Sequence, residues 1–169
     1  MSKCAIIIVA SALCFLSFFG LAHGIDKFYV KGSVYCDTCR VQFLTRLSEF
    51  MPGATVKVEC RDFEGSDNIT FSEETVTDAK GGYSMVVDGD HEEELCQVVL
   101  MKSSRSDCNE MEKESFMQSA RVSITGNNGI VSPVRNANPL GFLKKERLPE
   151  CLPLLDELGI NEDGTFKPQ

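Results

Sequence analysis

The chain has 169 residues, and 43% of them are hydrophobic and 25% charged, which is enough apolar material for one domain with a hydrophobic core. Its 25 Asp and Glu residues outnumber its 17 Lys and Arg residues and give a formal net charge of -8 at pH 7. The basic residues are scattered, so the sequence lacks the electrostatic footprint of a nucleic-acid-binding protein, and we exclude nucleic acid as a partner.

The first 24 residues have the features of a cleavable signal peptide. Lys3 precedes an uncharged apolar run from Ala5 to Phe19, and Ala22-His23-Gly24 has small residues at its first and third positions. The apolar run is shorter than the roughly 20 residues that a membrane-spanning helix needs. We therefore expect a secreted protein that does not span a membrane, with the signal peptide over residues 1–24 and one domain over residues 25–169.

Strand-like alternation of apolar and polar residues dominates the chain after the signal. Its clearest example is the segment Ala54–Arg61, where every second side chain is apolar or cysteine and the others are polar. Similar runs, separated by turns rich in Gly, Asn and Pro, predict further strands at Phe28–Tyr35, Ile69–Val76, Tyr83–Val87, Cys96–Lys102 and Ala120–Thr125, the last leading into Ile130-Val131. The pattern predicts an all-β fold, a small antiparallel β-sandwich or barrel of about seven strands.

Helical signals are fewer. The segment Val41–Phe50 could form one or two turns before Pro52, and Asn109–Phe116 could add a short piece. Leu152–Leu158, followed by Gly159, predicts a short C-terminal helix.

Cysteine content predicts a disulfide framework. Loss of Cys4 and Cys14 with the signal leaves six cysteines, and an even number in an exported chain is typical of three disulfides, for which 15 pairings are possible. Cys36 and Cys39, three residues apart at the end of a strand, should point in opposite directions toward distant partners. This strand context disfavours a redox-active Cys-x-x-Cys, and the single histidine of the exported chain disfavours a zinc site.

An acidic run, Asp88–Glu94, surrounds that histidine, His91. Its ligand order differs from that of an EF-hand, so we expect a solvated loop between two strands in place of a calcium site. With the cysteines in disulfides, a nucleophile to pair with His91 is hard to assemble. We expect no enzymatic activity, no catalytic residue, no metal and no cofactor.

Asn68-Ile69-Thr70 matches the acceptor pattern for N-linked glycosylation. Export through the secretory pathway would expose this site to the glycosylation machinery. Gly65-Ser66-Asp67 precedes it and predicts an exposed turn. We therefore expect a glycan on Asn68.

The stretch Gly32-Ser33-Val34-Tyr35-Cys36-Asp37-Thr38-Cys39-Arg40 resembles the signature of the plant pollen-allergen and extensin (Ole e I) family. The motif residues that carry this likeness are Gly32, Val34, Tyr35, Cys36, Asp37, Thr38, Cys39 and Arg40. Arg135–Phe142 resembles a second recurring segment of that family. Its Pro and Asn content predicts a turn-rich loop, which either tucks Leu140 and Phe142 beneath the sheet or forms a contact surface. The order of the glycine, proline and tyrosine motifs also resembles a transthyretin-like β-sandwich.

The family resemblance implies both a disulfide pairing and a role. It implies bonds from Cys36 to Cys108, from Cys39 to Cys151 and from Cys60 to Cys96. It further implies a monomeric extracellular glycoprotein that acts as an interaction or signalling protein in pollen or pollen-tube development, with a cell-surface receptor kinase ectodomain as its partner. The alternative is a cell-wall protein that binds wall polysaccharide or glycoprotein, although the chain has no Pro-rich tail.

Overall fold

The structure, a computed structural model, describes residues 27–63, 68–112, 115–161 and 165–167. The predicted signal peptide and the turn Gly65-Ser66-Asp67 lie outside the described residues. Nine strands and one helix are present in the described part of the chain.

The first sheet is built around strand β1, Lys27–Asp37, which is long enough to pair with two strands along each edge. On one side, β5 (Gly82–Asp88) and β2 (Glu49–Phe50) run antiparallel to it. On the other side, β8 (Val134–Asn136) and β9 (Leu140–Leu143) run parallel to it. The other four strands therefore all pair with β1.

The second sheet is antiparallel and has the order β4-β3-β6-β7. Its strands are β3 (Thr55–Asp62), β4 (Ile69–Val76), β6 (Glu94–Lys102) and β7 (Ser119–Val122). The inward-facing side chains of β3, which include Val56, Val58 and Cys60, are fully buried against those of the first sheet. The all-β sandwich predicted from the alternation pattern is confirmed, with nine strands among the described residues where about seven were expected.

One carboxylate is nearly buried on the outer face of the second sheet. Glu59 is 4% exposed, and its oxygens lie 2.9 Å from Lys57 Nζ, 3.0 Å from Gln97 Nε2 and 3.2 Å from an Arg61 guanidinium nitrogen. Burial by itself raises the pKa of Glu59, but the hydrogen bonds from these three donors outweigh it and hold the pKa below its usual value. The ionised carboxylate therefore ties neighbouring strands together.

The predicted C-terminal helix is present as α1, Cys151–Glu157, with Leu154 and Leu155 buried. The prediction of helical turns at Val41–Phe50 is wrong, because this segment is a loop that ends in β2. Positive φ angles at Arg40 (57°) and Gln42 (64°) turn the backbone away from a right-handed helix before the segment begins. The described residues of Asn109–Phe116 likewise contain an isolated bridge at Glu110 and a turn, not a helix.

The segment Arg135–Phe142 contains most of β8 and the start of β9, so the prediction of a loop there is also wrong. Each of these strands is only three or four residues long, and each pairs with β1, about 100 residues earlier in the chain. Ile130-Val131, expected to continue the strand pattern, lies in the loop before β8. The parallel pairing of β8 and β9 with β1 also differs from the prediction of a purely antiparallel sandwich.

Candidate interaction site at the motif loop

Two disulfides hold the second half of the sequence motif. Cys36, near the end of β1, bonds to Cys108, and Cys39, in the following loop, bonds to Cys151 at the start of α1. A third disulfide joins Cys60 of β3 to Cys96 of β6. The first two attach the loop after β1 to distant parts of the chain, so its position does not depend on local hydrogen bonds alone.

The buried Asp37 side chain shapes this loop from inside. Its carboxylate accepts hydrogen bonds from the backbone N–H groups of Cys39 at 3.1 Å and Gln42 at 2.7 Å. Burial raises the pKa of Asp37, and these backbone donors oppose the rise only in part. Because the carboxylate accepts hydrogen bonds from backbone N–H groups on both sides of the turn, it stabilises the positive φ angles at Arg40 and Gln42.

Other motif residues connect the loop to the rest of the molecule. Thr38 donates a hydrogen bond to the Leu47 carbonyl at 2.8 Å, which closes the base of the loop. Arg40 donates to Glu110 Oε2 at 2.6 Å and to the Lys144 carbonyl at 2.5 Å. These contacts hold the loop against segments from three parts of the sequence.

The remaining motif residues pack in the interior. Val34 is fully buried and Tyr35 is 2% exposed. Gly32 lies opposite Tyr83 of β5, whose ring covers it, and Gly141 of β9 lies opposite Tyr35 in the same way. In each pair a glycine leaves room for a tyrosine ring on the neighbouring strand. Most of the motif is therefore structural, and it cannot itself offer a large binding surface.

The tip of the loop is different, because two adjacent apolar side chains are exposed there. Phe43 is 41% exposed and Leu44 is 44% exposed. The loop packs against α1 through Val41 and Leu47, and Arg46 forms an ion pair with Glu157 of α1 at 2.6 Å. We name residues 41–48 the motif loop. Sequence reasoning missed this exposed apolar pair because Phe43 and Leu44 fell in a segment predicted as helix, where they would count as an apolar face.

The second segment that resembles the family, Arg135–Phe142, contributes mainly to packing. Leu140 is fully buried and Phe142 is 1% exposed. Arg135 is 4% exposed and donates to the backbone carbonyls of Ser123 at 2.9 Å and Thr125 at 2.5 Å, while its guanidinium lies 4.7 Å from the centre of the Phe28 ring. This buried cation is satisfied by carbonyl dipoles and an aromatic face, so it fastens the loop before β8 to β1.

Comparison with known proteins identifies the family. The family model described as "Pollen protein Ole e 1 like" matches residues 26–159. The chain belongs to this family. The resemblance found in the motif is thereby confirmed over most of the sequence.

Several members are close relatives. An Olee1-like protein of Betula pendula is 55% identical over 164 residues, covering 96% of this chain and 98% of that protein. The anther-specific protein LAT52 of Solanum lycopersicum is 48% identical, covering 91% and 94% respectively. The crystal structure of the major plantain pollen allergen Pla l 1 is similar with a TM-score of 0.66 and 37% identity, covering 74% of this chain and 99% of that one. The family description and the names of the tomato and plantain proteins refer to pollen and anther, which supports a pollen-related role for this family member.

The glycosylation motif lies at the start of β4. Asn68 is exposed, and its side-chain amide lies 3.3 Å from an Asp62 carboxylate oxygen. Thr70 donates to the Cys60 carbonyl at 3.1 Å. A glycan on Asn68 would project into solvent beside the β3–β4 edge of the second sheet.

The acidic run forms the connection from β5 to β6, as the sequence suggested. His91 is less exposed than its acidic neighbours: its side chain is only 10% exposed, and its Nδ1 atom lies 2.9 Å from Glu94 Oε2.

No helix in the described residues is both long and apolar enough to cross a membrane.

Proposed function

We propose that the chain is a secreted, non-catalytic interaction protein of pollen, exported by cleavage of residues 1–24, with residues 25–169 as the working domain. Its partner would be a receptor kinase ectodomain at the plant cell surface. The family and the pollen and anther names of its relatives support the setting. The disulfide framework supports an oxidising extracellular compartment, and the exposed Asn68 suits a glycan.

The observation that carries this proposal is the exposed tip of the motif loop. Phe43 and Leu44 present apolar surface on a backbone held by a disulfide, a buried carboxylate and an ion pair to α1. A loop that is already ordered loses little conformational entropy when it binds, and apolar side chains near the centre of an interface supply much of the affinity.

The test compares two pairs of adjacent exposed apolar residues. Phe43→Ser with Leu44→Ser removes the tip of the motif loop. Ile130→Ser with Val131→Ser is the matched control, since these side chains are 50% and 100% exposed on the loop before β8. Both variants and the unaltered mature protein would be titrated against solubilised pollen plasma membrane, with retained proteins identified by mass spectrometry.

We expect saturable recovery of a receptor kinase ectodomain, reduced by about tenfold or more in the motif-loop variant and little changed in the control. Equal losses in both variants would refute the loop as the contact surface. A parallel titration against cell-wall extract tests the alternative role. Retention on wall polymers without recovery of any ectodomain would overturn the receptor proposal.

A further inference from the structure

The third disulfide lies in a cluster of side chains that could bind a metal. Cys60, His91, Glu94 and Cys96 each offer one ligand atom, and these four atoms all lie within 4.8 Å of one another. Two sulfurs, an imidazole nitrogen and a carboxylate oxygen form a donor set that zinc accepts in tetrahedral geometry. In the oxidised protein the two sulfurs are bonded to each other and are therefore poor ligands.

The two ligands that are not cysteines are already oriented as metal ligands usually are. Nδ1 of His91 lies 2.9 Å from Glu94 Oε2, while its other ring nitrogen, Nε2, lies 3.3 Å from the Asp88 carbonyl oxygen. The Phe71 ring packs edge-on against the imidazole at 5.5 Å between ring centres. A backbone carbonyl that accepts from the distal nitrogen is a common outer partner of a zinc-bound histidine, because it fixes the tautomer and the ring orientation.

Glu94 is supported in a similar way. The hydroxyl oxygen of Thr70 lies within hydrogen-bond distance of both Glu94 Oε2 and the Cys60 carbonyl oxygen, and its one proton can be donated to either acceptor. Thr70 reaches both because the register of β4 against β3 shifts between Cys60 and Arg61, which leaves Thr70 as the extra residue of a bulge. The bulge therefore directs a hydroxyl into the cluster.

Backbone geometry keeps the two cysteines close even without their covalent bond. Cys60 and Cys96 are directly opposite in the β3–β6 register, and their Cα atoms are 4.0 Å apart. A tetrahedral zinc site with zinc–sulfur bonds of about 2.3 Å needs a sulfur–sulfur separation of about 3.8 Å. Side-chain rotation about a fixed pair of strands can supply that separation. The cysteines are buried, while the side chains of His91 and Glu94 are 10% and 21% exposed and offer a route from solvent.

We propose that reduction of the Cys60–Cys96 disulfide converts this cluster into a Zn²⁺ site formed by Cys60, His91, Glu94 and Cys96. An external dithiol of the thioredoxin class supplies the two electrons and two protons: its own thiols become a disulfide, and the protein disulfide becomes two thiols. Zinc then displaces both thiol protons and binds the two thiolates. The metal replaces the covalent link between β3 and β6, so the sheet keeps its cross-link in a reducing environment. This site is independent of the motif loop and of the receptor proposal.

The experiment uses the mature protein and titrates it with a dithiol while alkylation and peptide mapping report which cysteines are free. Co²⁺ is the first probe, because a tetrahedral site with two thiolates gives thiolate charge-transfer absorption and intense visible bands. Zn²⁺ then competes for the same site. We expect the absorption only when Cys60 and Cys96 are free, with a stoichiometry of one metal per chain.

Variants separate the four-ligand site from simple binding to free thiols. His91→Gln and Glu94→Gln should each weaken metal binding by about a hundredfold or more, since loss even of outer partners costs about 10–100-fold. Glu93→Gln, an exposed carboxylate one residue away, is the matched control and should leave the affinity unchanged. Equal affinities in all three variants would overturn the proposal.

Amide hydrogen exchange tests whether the reduced sheet survives. The amides of β3 and β6 should remain protected in the reduced, zinc-bound protein. Loss of that protection in the presence of zinc would refute the site, as would metal absorption in the fully oxidised protein.

Discussion

Replacement of the motif glycine, Gly32→Ala, tests the packing of the first sheet. A Cβ atom at this position would lie 2.2 Å from the Tyr83 hydroxyl oxygen and 2.5 Å from its Cζ, whereas ordinary contact begins at 3.4 Å. The ring must therefore move by about 1 Å, within a core where Tyr83 is only 6% exposed.

The expected loss of stability follows from two opposing effects. Overpacking of this size costs about 1–3 kcal/mol, while alanine in a strand is favoured over glycine by about 0.5–1 kcal/mol. We expect a net loss of about 1–2 kcal/mol in the free energy of unfolding. For a domain of this size, this lowers Tm by about 2–8 °C, measured by circular dichroism with all disulfides intact.

A double-mutant cycle identifies Tyr83 as the cause. In a Tyr83→Ala background the clash is absent, so Gly32→Ala should be neutral or stabilising, with a coupling energy of about 2 kcal/mol. Gly126→Ala is the control, because a Cβ there meets nothing within 4 Å. The reasoning fails if Gly32→Ala costs the same with and without the Tyr83 ring. Tyr83→Phe alone should be neutral or stabilising, because the hydroxyl is buried and makes no hydrogen bond to any described residue.

Three further substitutions probe other features. Because the pKa of Glu59 is lowered on folding, its carboxylate contributes stability that is present above pH 4.5 and lost as the pH falls through the folded-state pKa. In urea unfolding at several pH values, Glu59→Gln should reduce the dependence of the free energy of unfolding on acid pH. Glu73→Gln, on the exposed edge strand β4, is the control and should leave that dependence unchanged. Arg135→Lys should cost about 2 kcal/mol in denaturant unfolding, because a lysine cannot reproduce the forked hydrogen bonds to backbone carbonyls; an unchanged midpoint would contradict this. In protein made in a plant expression host, Asn68→Gln should lower the molecular mass by that of one endoglycosidase-sensitive glycan without changing Tm. A variant whose mass differs from the unaltered protein only by the substitution would show that Asn68 carries no glycan.

The sequence predicted the strands whose alternation is long. Ile69–Val76 was predicted with the bounds that the structure has, and Cys96–Lys102 was short by two residues at its start. In β6 every second side chain, Cys96, Val98 and Leu100, is buried, and that period is visible without knowledge of the partner strand. The edge strand β4 is mostly exposed, with only Phe71 and Thr75 partly buried. β8 and β9 are too short for a period to appear, and their pairing with β1 depends on contacts from the other end of the chain.

The candidate sites were harder to predict because each depends on which distant residues meet. Cysteine spacing identified the motif, but no local pattern distinguishes a buried Asp37 from an exposed one. His91 was assigned to a solvated loop from its acidic neighbours, yet it packs beside Cys60 and Cys96. Cys60 lies on β3, whereas His91 lies in the connection that leads from β5 into β6, and the β3–β6 register brings the two together. The spacing of His91, Glu94 and Cys96 was the only local signal available.

The separation of the hydrophobic clusters shows why the motif loop can be rigid without being part of the core. Cys36, Cys108, Cys60 and Cys96 all belong to the main core cluster between the sheets. Cys39 and Cys151 instead lie in a small cluster with Leu154, against which the motif loop packs. Cleavage of Cys39–Cys151 would therefore remove the covalent link between the loop and α1, leaving the contacts of Val41, Leu47 and Arg46, and would not disturb the sandwich core. Loop order and core stability thus depend on different disulfides, so the contact surface can be loosened without unfolding the domain that presents it.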